Sequence, residues 1–185
     1  MKNNKSNIYY DGTIVIIGGS HNSKNNLKLV KYSQLSGNND YKAFTVSGVC
    51  IVDGKILLGK RSSRVYSEPG HIDLVPSGGV DVLDIGEGKD IGEVALSAFN
   101  RELNEELTNV LPIRNPQLMG YLETETTREA IFMQELSIKP QIKNFEYEEI
   151  YLEDIAKLPI LNNFQITALL REFLSSHLFS QLLNL

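Results

Sequence analysis

The sequence predicts an α/β sandwich in which a mixed β-sheet carries a helix on each side. Three observations point there. A Val-rich segment, Ala43–Val52, and a second strand-like segment, Lys55–Lys60, are joined by Asp53-Gly54, a pair suited to a tight hairpin turn that needs positive φ at both central positions. Residues Val94, Ala95, Ala98, Phe99, Leu103 and Leu107 recur at helical spacing and predict a helix over Ile91–Leu107. More strands follow it, and the chain closes on a second helical stripe, so the order is strands, helix, strands, helix.

Taken in order, residues 1–40 are rich in asparagine and poor in carboxylates. Ile8–Ile17 and Leu27–Ser33 still read as strands, with Gly18-Gly19-Ser20 and Asn22–Asn26 as the turn between them. We read residues 1–40 as a β-hairpin extension that either lengthens the main sheet or forms a homodimer contact. Residues 41–185 form the main domain. There Ser62–Gly70 is a loop, His71–Val75 a short strand ending in the turn Pro76-Ser77-Gly78-Gly79, and Val80–Gly92 a polar loop. Leu118–Thr126 and Ala130–Ile138 are strands turning at Thr127-Arg128-Glu129, and Glu148–Leu152 is a last short strand. Ile166, Leu169, Leu170, Phe173, Leu174 and Leu178 make Phe164–Leu183 a core-facing helix.

Bulk properties exclude several classes. A chain of 185 residues with 42% apolar content builds one proper core. A formal charge of −5 argues against a binder of nucleic-acid polymers but not against a nucleotide ligand. Cys50 is the single cysteine, so neither a disulfide framework nor a cysteine zinc site is available; in the apolar run Val46–Val52 it reads as a core thiol. The first residues lack the apolar stretch of a signal peptide, and Ile14–Ile17 is too short to cross a bilayer, so no membrane association and a cytoplasmic setting are expected.

The segment Arg101–Glu106, RELNEE, carries the chemistry. On a helix Glu102, Glu105 and Glu106 stand at i, i+3 and i+4 and share a face, where like charges repel. Positions 98, 109 and 110 hold no basic residue, and Arg101 points to a neighbouring face. The glutamates alone fit either a solvated acidic face or a site for a hard cation such as Mg²⁺ or Mn²⁺, which prefers oxygen ligands. What precedes them favours the second. Gly78-Gly79, then Glu93, seven residues, and Arg101-Glu102-Leu103-x-Glu105-Glu106 resemble the Nudix box of the Nudix hydrolase superfamily. The resemblance covers residues 41–185 and implies a Nudix-like α/β/α sandwich. It departs from the family twice. Thirteen residues separate Gly79 from Glu93 where the family has five, an insertion of eight, and Leu107-Thr108-Asn109 replaces the glycine-containing helix end, with Asn109 able to supply a left-handed residue.

The resemblance implies a metal-dependent hydrolase that cleaves the pyrophosphate of a nucleoside diphosphate linked to another moiety. In that reading Glu102, Glu105, Glu106 and the Gly78 carbonyl hold Mg²⁺ or Mn²⁺, and Glu102 and Glu105 are catalytic. Gly79, Glu93 and Arg101 are scaffolding, with Glu93 and Arg101 pairing to hold the loop against the helix. The general base is Glu102 or comes from Glu146–Glu149. Arg61, Arg64 and Glu149 are candidate substrate contacts, the arginines because a guanidinium fork fits phosphate oxygens. The competing reading is a nucleotide-binding or regulatory module of the same fold without hydrolysis. An isomerase of allylic diphosphates is disfavoured, because Cys50 has no histidine near it in sequence. Residues 1–40, Ser62–Gly70, Val80–Gly92 and Pro140–Tyr147 carry substrate selectivity in this scheme.

Overall fold

The computed structural model describes residues 13–18, 27–31, 41–87 and 89–184. Strands β1 (Thr13–Gly18) and β2 (Leu27–Lys31) pair antiparallel, and β1 continues onto the start of β3 (Tyr41–Val52). The hairpin therefore extends the main sheet. The rest of the expected first strand (8–12), the end of the second (32–33) and the turn at 19–26 lie outside the described residues. Asp53 and Gly54 both take positive φ, 49° and 73°, and turn β3 into β4 (Lys55–Arg61).

Strand β3 organises the sheet because its twelve residues are long enough to serve several partners. β9 (Thr127–Leu136) runs parallel to it from Ala43 to Val52 along one edge. The other edge is shared by β1, β6 (Ser77–Gly79) and β4. β4 continues outward to β5 (Ile72–Leu74) and β11 (Tyr147–Asp154), while β8 (Gln117–Glu123) pairs with β9. Two short strands, β7 (Leu107–Thr108) and β10 (Gln141–Ile142), form a separate pair. The sheet is mixed, as expected, with one parallel pairing among antiparallel ones.

Helix α1 (Ile91–Glu106) covers one face. Val94, Ala95, Ala98, Phe99 and Leu103 pack on Phe44, Val46, Cys50 and Phe132, with the Phe99 and Phe132 rings stacked 5.0 Å apart. On the opposite face α2 (Ala168–Ser175) and α3 (His177–Leu182) set Leu169, Leu170, Phe173, Leu178 and Phe179 against Val49, Leu58, Leu74 and Ile131. Burial of such side chains, about 1.5–3 kcal/mol each, is what fixes the helices to the sheet. Cys50 is fully buried and its thiol is pushed up to about 12 by that burial and by the Glu106 charge, so it is a core thiol.

Three local readings change. Ser77–Gly79 is a strand paired with β3 and not a turn; neither glycine has positive φ among the described residues. The turn between β8 and β9 sits at residues 124–126 and leaves Arg128 and Glu129 within β9, because the Thr124 hydroxyl accepts the Thr127 N–H at 3.0 Å and bonds the Thr127 hydroxyl at 2.8 Å. The C-terminal helix is broken: Ser176 is extended, accepts the Phe179 N–H and starts α3 as its cap, and a 3₁₀ stretch, Ile155–Asn163, precedes α2. Helix α1 ends at Glu106, one residue before the expected Leu107, and Asn109 takes the left-handed conformation expected of it, at φ 57°. Among the described residues no helix is long and apolar enough to cross a membrane.

Candidate functional site

A cleft of about 720 Å³ opens where α1 meets the sheet. Its walls include Ser77, Gly78, Gly79, Arg101, Glu102 and Glu105 on the helix side, and Thr45, Arg61, Asp73, Thr127, Glu129 and Glu146 on the sheet side. The fold brings these together simply. Pairing of β6 with β3 sets Gly78 opposite Val46, and α1 lies over β6. A Cβ built on Gly78 would stand 2.1 Å from the Glu102 carboxyl carbon. Only a residue without a side chain lets Glu102 occupy that place.

The three box glutamates are not equivalent. Glu102 and Glu106 are buried and Glu105 is exposed. Glu106 accepts the Ser77 N–H at 3.2 Å and is not among the cleft's lining residues. Burial raises its pKa well above the carboxylate range, and the charges of Glu102 and Glu146 add to the rise. Burial also raises Glu102, offset in part by Arg101.

Arg101, expected on a neighbouring face, reaches the glutamates all the same. Its Nη1 donates to Glu102 Oε1 at 2.7 Å and to Glu105 Oε2 at 3.2 Å. The long side chain reaches back across its own turn, and Glu105 is its i+4 neighbour. Nor does Arg101 pair with Glu93. Glu93 accepts the Asp90 N–H at 2.8 Å while Asp90 accepts the Glu93 N–H at 2.9 Å, so both side chains are used in capping α1. Arg101 instead bonds Asp84, in the 3₁₀ turn Val82–Asp84 of the longer loop, with Nη2 to Oδ2 at 2.9 Å, and also the Gly79 carbonyl at 2.7 Å. Burial works against its charge, but Asp84 and Glu102 outweigh this and hold the guanidinium firmly protonated.

The sheet side holds two carboxylates that the motif did not indicate. Glu129 is buried and accepts hydrogen bonds from the hydroxyls of Thr45 and Ser47. Burial pushes its pKa up to about 7 against the lowering effect of those hydroxyls. Asp73, also buried, accepts the Thr167 hydroxyl at 2.7 Å and pairs with Arg61 at 3.2 Å; burial lifts it to about 6. No local pattern marked Glu129: residues on both faces of β9 are buried around it, and its partners Thr45 and Ser47 lie some eighty residues earlier. Asp84 was marked by its spacing from Asp81, which makes a capping box.

Of the remaining candidates, Arg61 lines the cleft, with its guanidinium held by Asp73 and by the Ser67 carbonyl at 3.1 Å. Arg64 and Glu149 are exposed and do not line it, whereas Glu146, in the acidic run before β11, does. Among the described residues no three His, Cys, Asp or Glu side chains converge closely enough to hold an ion as they stand. The donor chemistry nevertheless fits a hard divalent cation, since Mg²⁺ binds through one or two carboxylates and takes its other oxygens from water and substrate phosphate. The Glu102 carboxyl, seated where a Cβ on Gly78 would stand, is a donor whose placement is compatible with such an ion.

No protein-family model and no curated protein matches the sequence. Solved structures do match the fold. The chain is similar to Tm1382, whose own assignment as a Nudix hydrolase is provisional, at 16% identity over 94% of this chain and 99% of that one, with a TM-score of 0.66. It is similar to the MutT Nudix hydrolase of Burkholderia pseudomallei at 22% identity, covering 76% and 97% of the two chains, TM-score 0.54. A bifunctional NMN adenylyltransferase/ADP ribose pyrophosphatase of Francisella tularensis, solved with AMP and a manganese ion, matches at 16% identity over 76% of this chain and 42% of that one, TM-score 0.52. The chain has the fold of the Nudix hydrolases.

Proposed function

We propose that this protein is a metal-dependent pyrophosphohydrolase acting on a nucleoside diphosphate linked to another moiety: a nucleotide sugar, a dinucleotide or a nucleoside triphosphate. The observation that carries the reading is the seating of the Glu102 carboxyl against Gly78 in a cleft large enough for such a ligand, with Glu105 beside it. Glu102, Glu105 and Glu106, with the Gly78 carbonyl, would hold Mg²⁺ or Mn²⁺. When bound, the ion supplies charge neutralisation on the pyrophosphate and acidifies a coordinated water. The chain's own groups do the rest. Glu102 holds the position nearest the glycine strand, Arg101 and Gly79 fix the helix against that strand, and Glu102 or Glu146 stands in the cleft to take a proton from water.

The test is turnover by purified protein with Mg²⁺ or Mn²⁺ on a panel of nucleotide sugars, dinucleoside polyphosphates and nucleoside triphosphates. Glu105→Gln abolishes turnover while leaving the fold intact; undiminished activity in that variant sinks the assignment. A second reading, nucleotide binding without hydrolysis, draws support from Arg101, which already occupies Glu102 and Glu105. Nucleotide binding by calorimetry with no phosphate release at any metal concentration selects it.

A further inference from the structure

The eight extra residues before α1 do more than lengthen a loop. Asp84, at the end of the 3₁₀ turn Val82–Asp84, is only 4% exposed. Its Oδ2 accepts the Asp81 N–H at 2.8 Å and Arg101 Nη2 at 2.9 Å, and Arg101 Nε lies 3.3 Å from both oxygens. The loop is braced from the other side by Lys89, whose Nζ donates to the Asp84 carbonyl at 3.2 Å and to Ser97 on α1 at 2.7 Å.

A guanidinium has five N–H donors in a rigid fork. Asp84 takes the Nε/Nη2 edge, the one suited to bidentate pairing with a carboxylate. Only Nη1 is left to reach Glu102 and Glu105. Without Asp84, only the Gly79 carbonyl would still hold that edge, through Nη2, and its freed N–H groups could turn onto the nearest carboxylates, those of Glu102 and Glu105. A fork bound to them would compete with a divalent cation for the same oxygens.

We propose that Asp84 is a positioning residue, which anchors Arg101 to the inserted loop and so limits the guanidinium's hold on the carboxylates of Glu102 and Glu105 to Nη1. The proposal rests on the reading of those carboxylates as metal ligands. It makes the insertion part of the site's electrostatics, and Asp84 takes the place in which a partner for Arg101 was sought at Glu93.

The experiment titrates Mn²⁺ into the full chain without substrate, by calorimetry and by the Mn²⁺ paramagnetic resonance signal. Asp84→Asn keeps an acceptor for the Asp81 N–H but loses the charge that holds Arg101, and Mn²⁺ affinity falls by about tenfold. Arg101→Gln removes the competitor and raises affinity severalfold, a readout that stands even if Asp84→Asn does not fold. In the Arg101→Gln background Asp84→Asn changes affinity by less than about twofold, the non-additivity expected of two residues acting as a unit. Equal affinity in wild type and Asp84→Asn, or a tenfold loss that persists without Arg101, overturns the proposal; the latter outcome marks a direct charge effect of Asp84. Affinity unchanged or lowered by Arg101→Gln alone overturns it as well. A wild-type chain that binds no Mn²⁺ overturns the metal reading and this proposal with it.

Discussion

The cleft carries carboxylates on both of its sides, and the two sets are held by different chemistry. On the α1 side Glu102 and Glu105 face a permanent cation, Arg101, itself shared with Asp84. On the sheet side Glu129 is held by two neutral hydroxyls, and Asp73 by one hydroxyl and the Arg61 guanidinium. A buried carboxylate partnered by hydroxyls keeps its proton more readily than one beside a guanidinium, because hydroxyls supply hydrogen bonds but no charge. Burial, offset only in part by those hydroxyls, pushes Glu129 up to about 7. Burial raises carboxylates on both sides, Glu102 and Glu106 on one and Glu129 and Asp73 on the other, but at Glu102 the Arg101 charge opposes the rise, whereas at Glu129 two neutral hydroxyls do most of the opposing.

The largest test of this contrast is Gly78→Ala. The added methyl would meet the Glu102 carboxyl at a distance real atoms do not reach, so Glu102 must leave its place. A displacement of about an ångström at a reacting centre costs on the order of 10²-fold in rate, and the overpacking costs roughly 1–3 kcal/mol of stability. Steady-state kinetics on whichever diphosphate the wild type cleaves would show the loss in kcat. Turnover within threefold of wild type would mean that Glu102 need not sit against the glycine strand.

Next in size is Glu129→Gln, read through stability. The folded chain holds the Glu129 proton up to about pH 7, whereas the unfolded chain releases it near 4.5. The stabilising contribution is complete below 4.5 and is lost as pH rises through 7, since over that window only the unfolded state ionises. A rise of this size corresponds to about 3 kcal/mol. Asp73 slopes the same way between 3.8 and about 6 and is present in both chains. Urea unfolding should show Glu129→Gln gaining on wild type between pH 4.5 and 8. A difference that stays constant across that range would show that the two hydroxyls already stabilise the ionised carboxylate.

How legible the two sides were follows from how local their determinants are. RELNEE was readable because helical spacing alone puts Glu102, Glu105 and Glu106 on neighbouring positions. The β3–β4 hairpin was readable because Asp53-Gly54 satisfies its turn without help from the rest of the chain. Glu129 was not, since a lone carboxylate in a strand acquires meaning only from Thr45 and Ser47, some eighty residues earlier. β6 was misread for a related reason: two of its three residues are glycine, with no strand preference of their own, and pairing with β3 makes them a strand. The apolar stripe of the C-terminal helix runs through Ser176, so periodicity concealed a break made by one capping hydroxyl.

The smallest effect separates the two acidic residues that the motif and the structure offer as partners of Arg101. Glu93 caps α1 with Asp90 and does not touch Arg101, whereas Asp84 holds it through Nε and Nη2. Glu93→Ala removes one half of an exposed capping box and costs about 1 kcal/mol in urea unfolding. Because the capping pair lies at the far end of α1 from Glu102 and Glu105, Mn²⁺ affinity and kcat/KM stay within about twofold of wild type, the scale of a surface substitution. A loss of metal affinity in Glu93→Ala as large as that in Asp84→Asn would return Glu93 to the role the motif implies. It would also mean that the orientation of Arg101 depends on the whole first turn of the helix and not on the inserted loop.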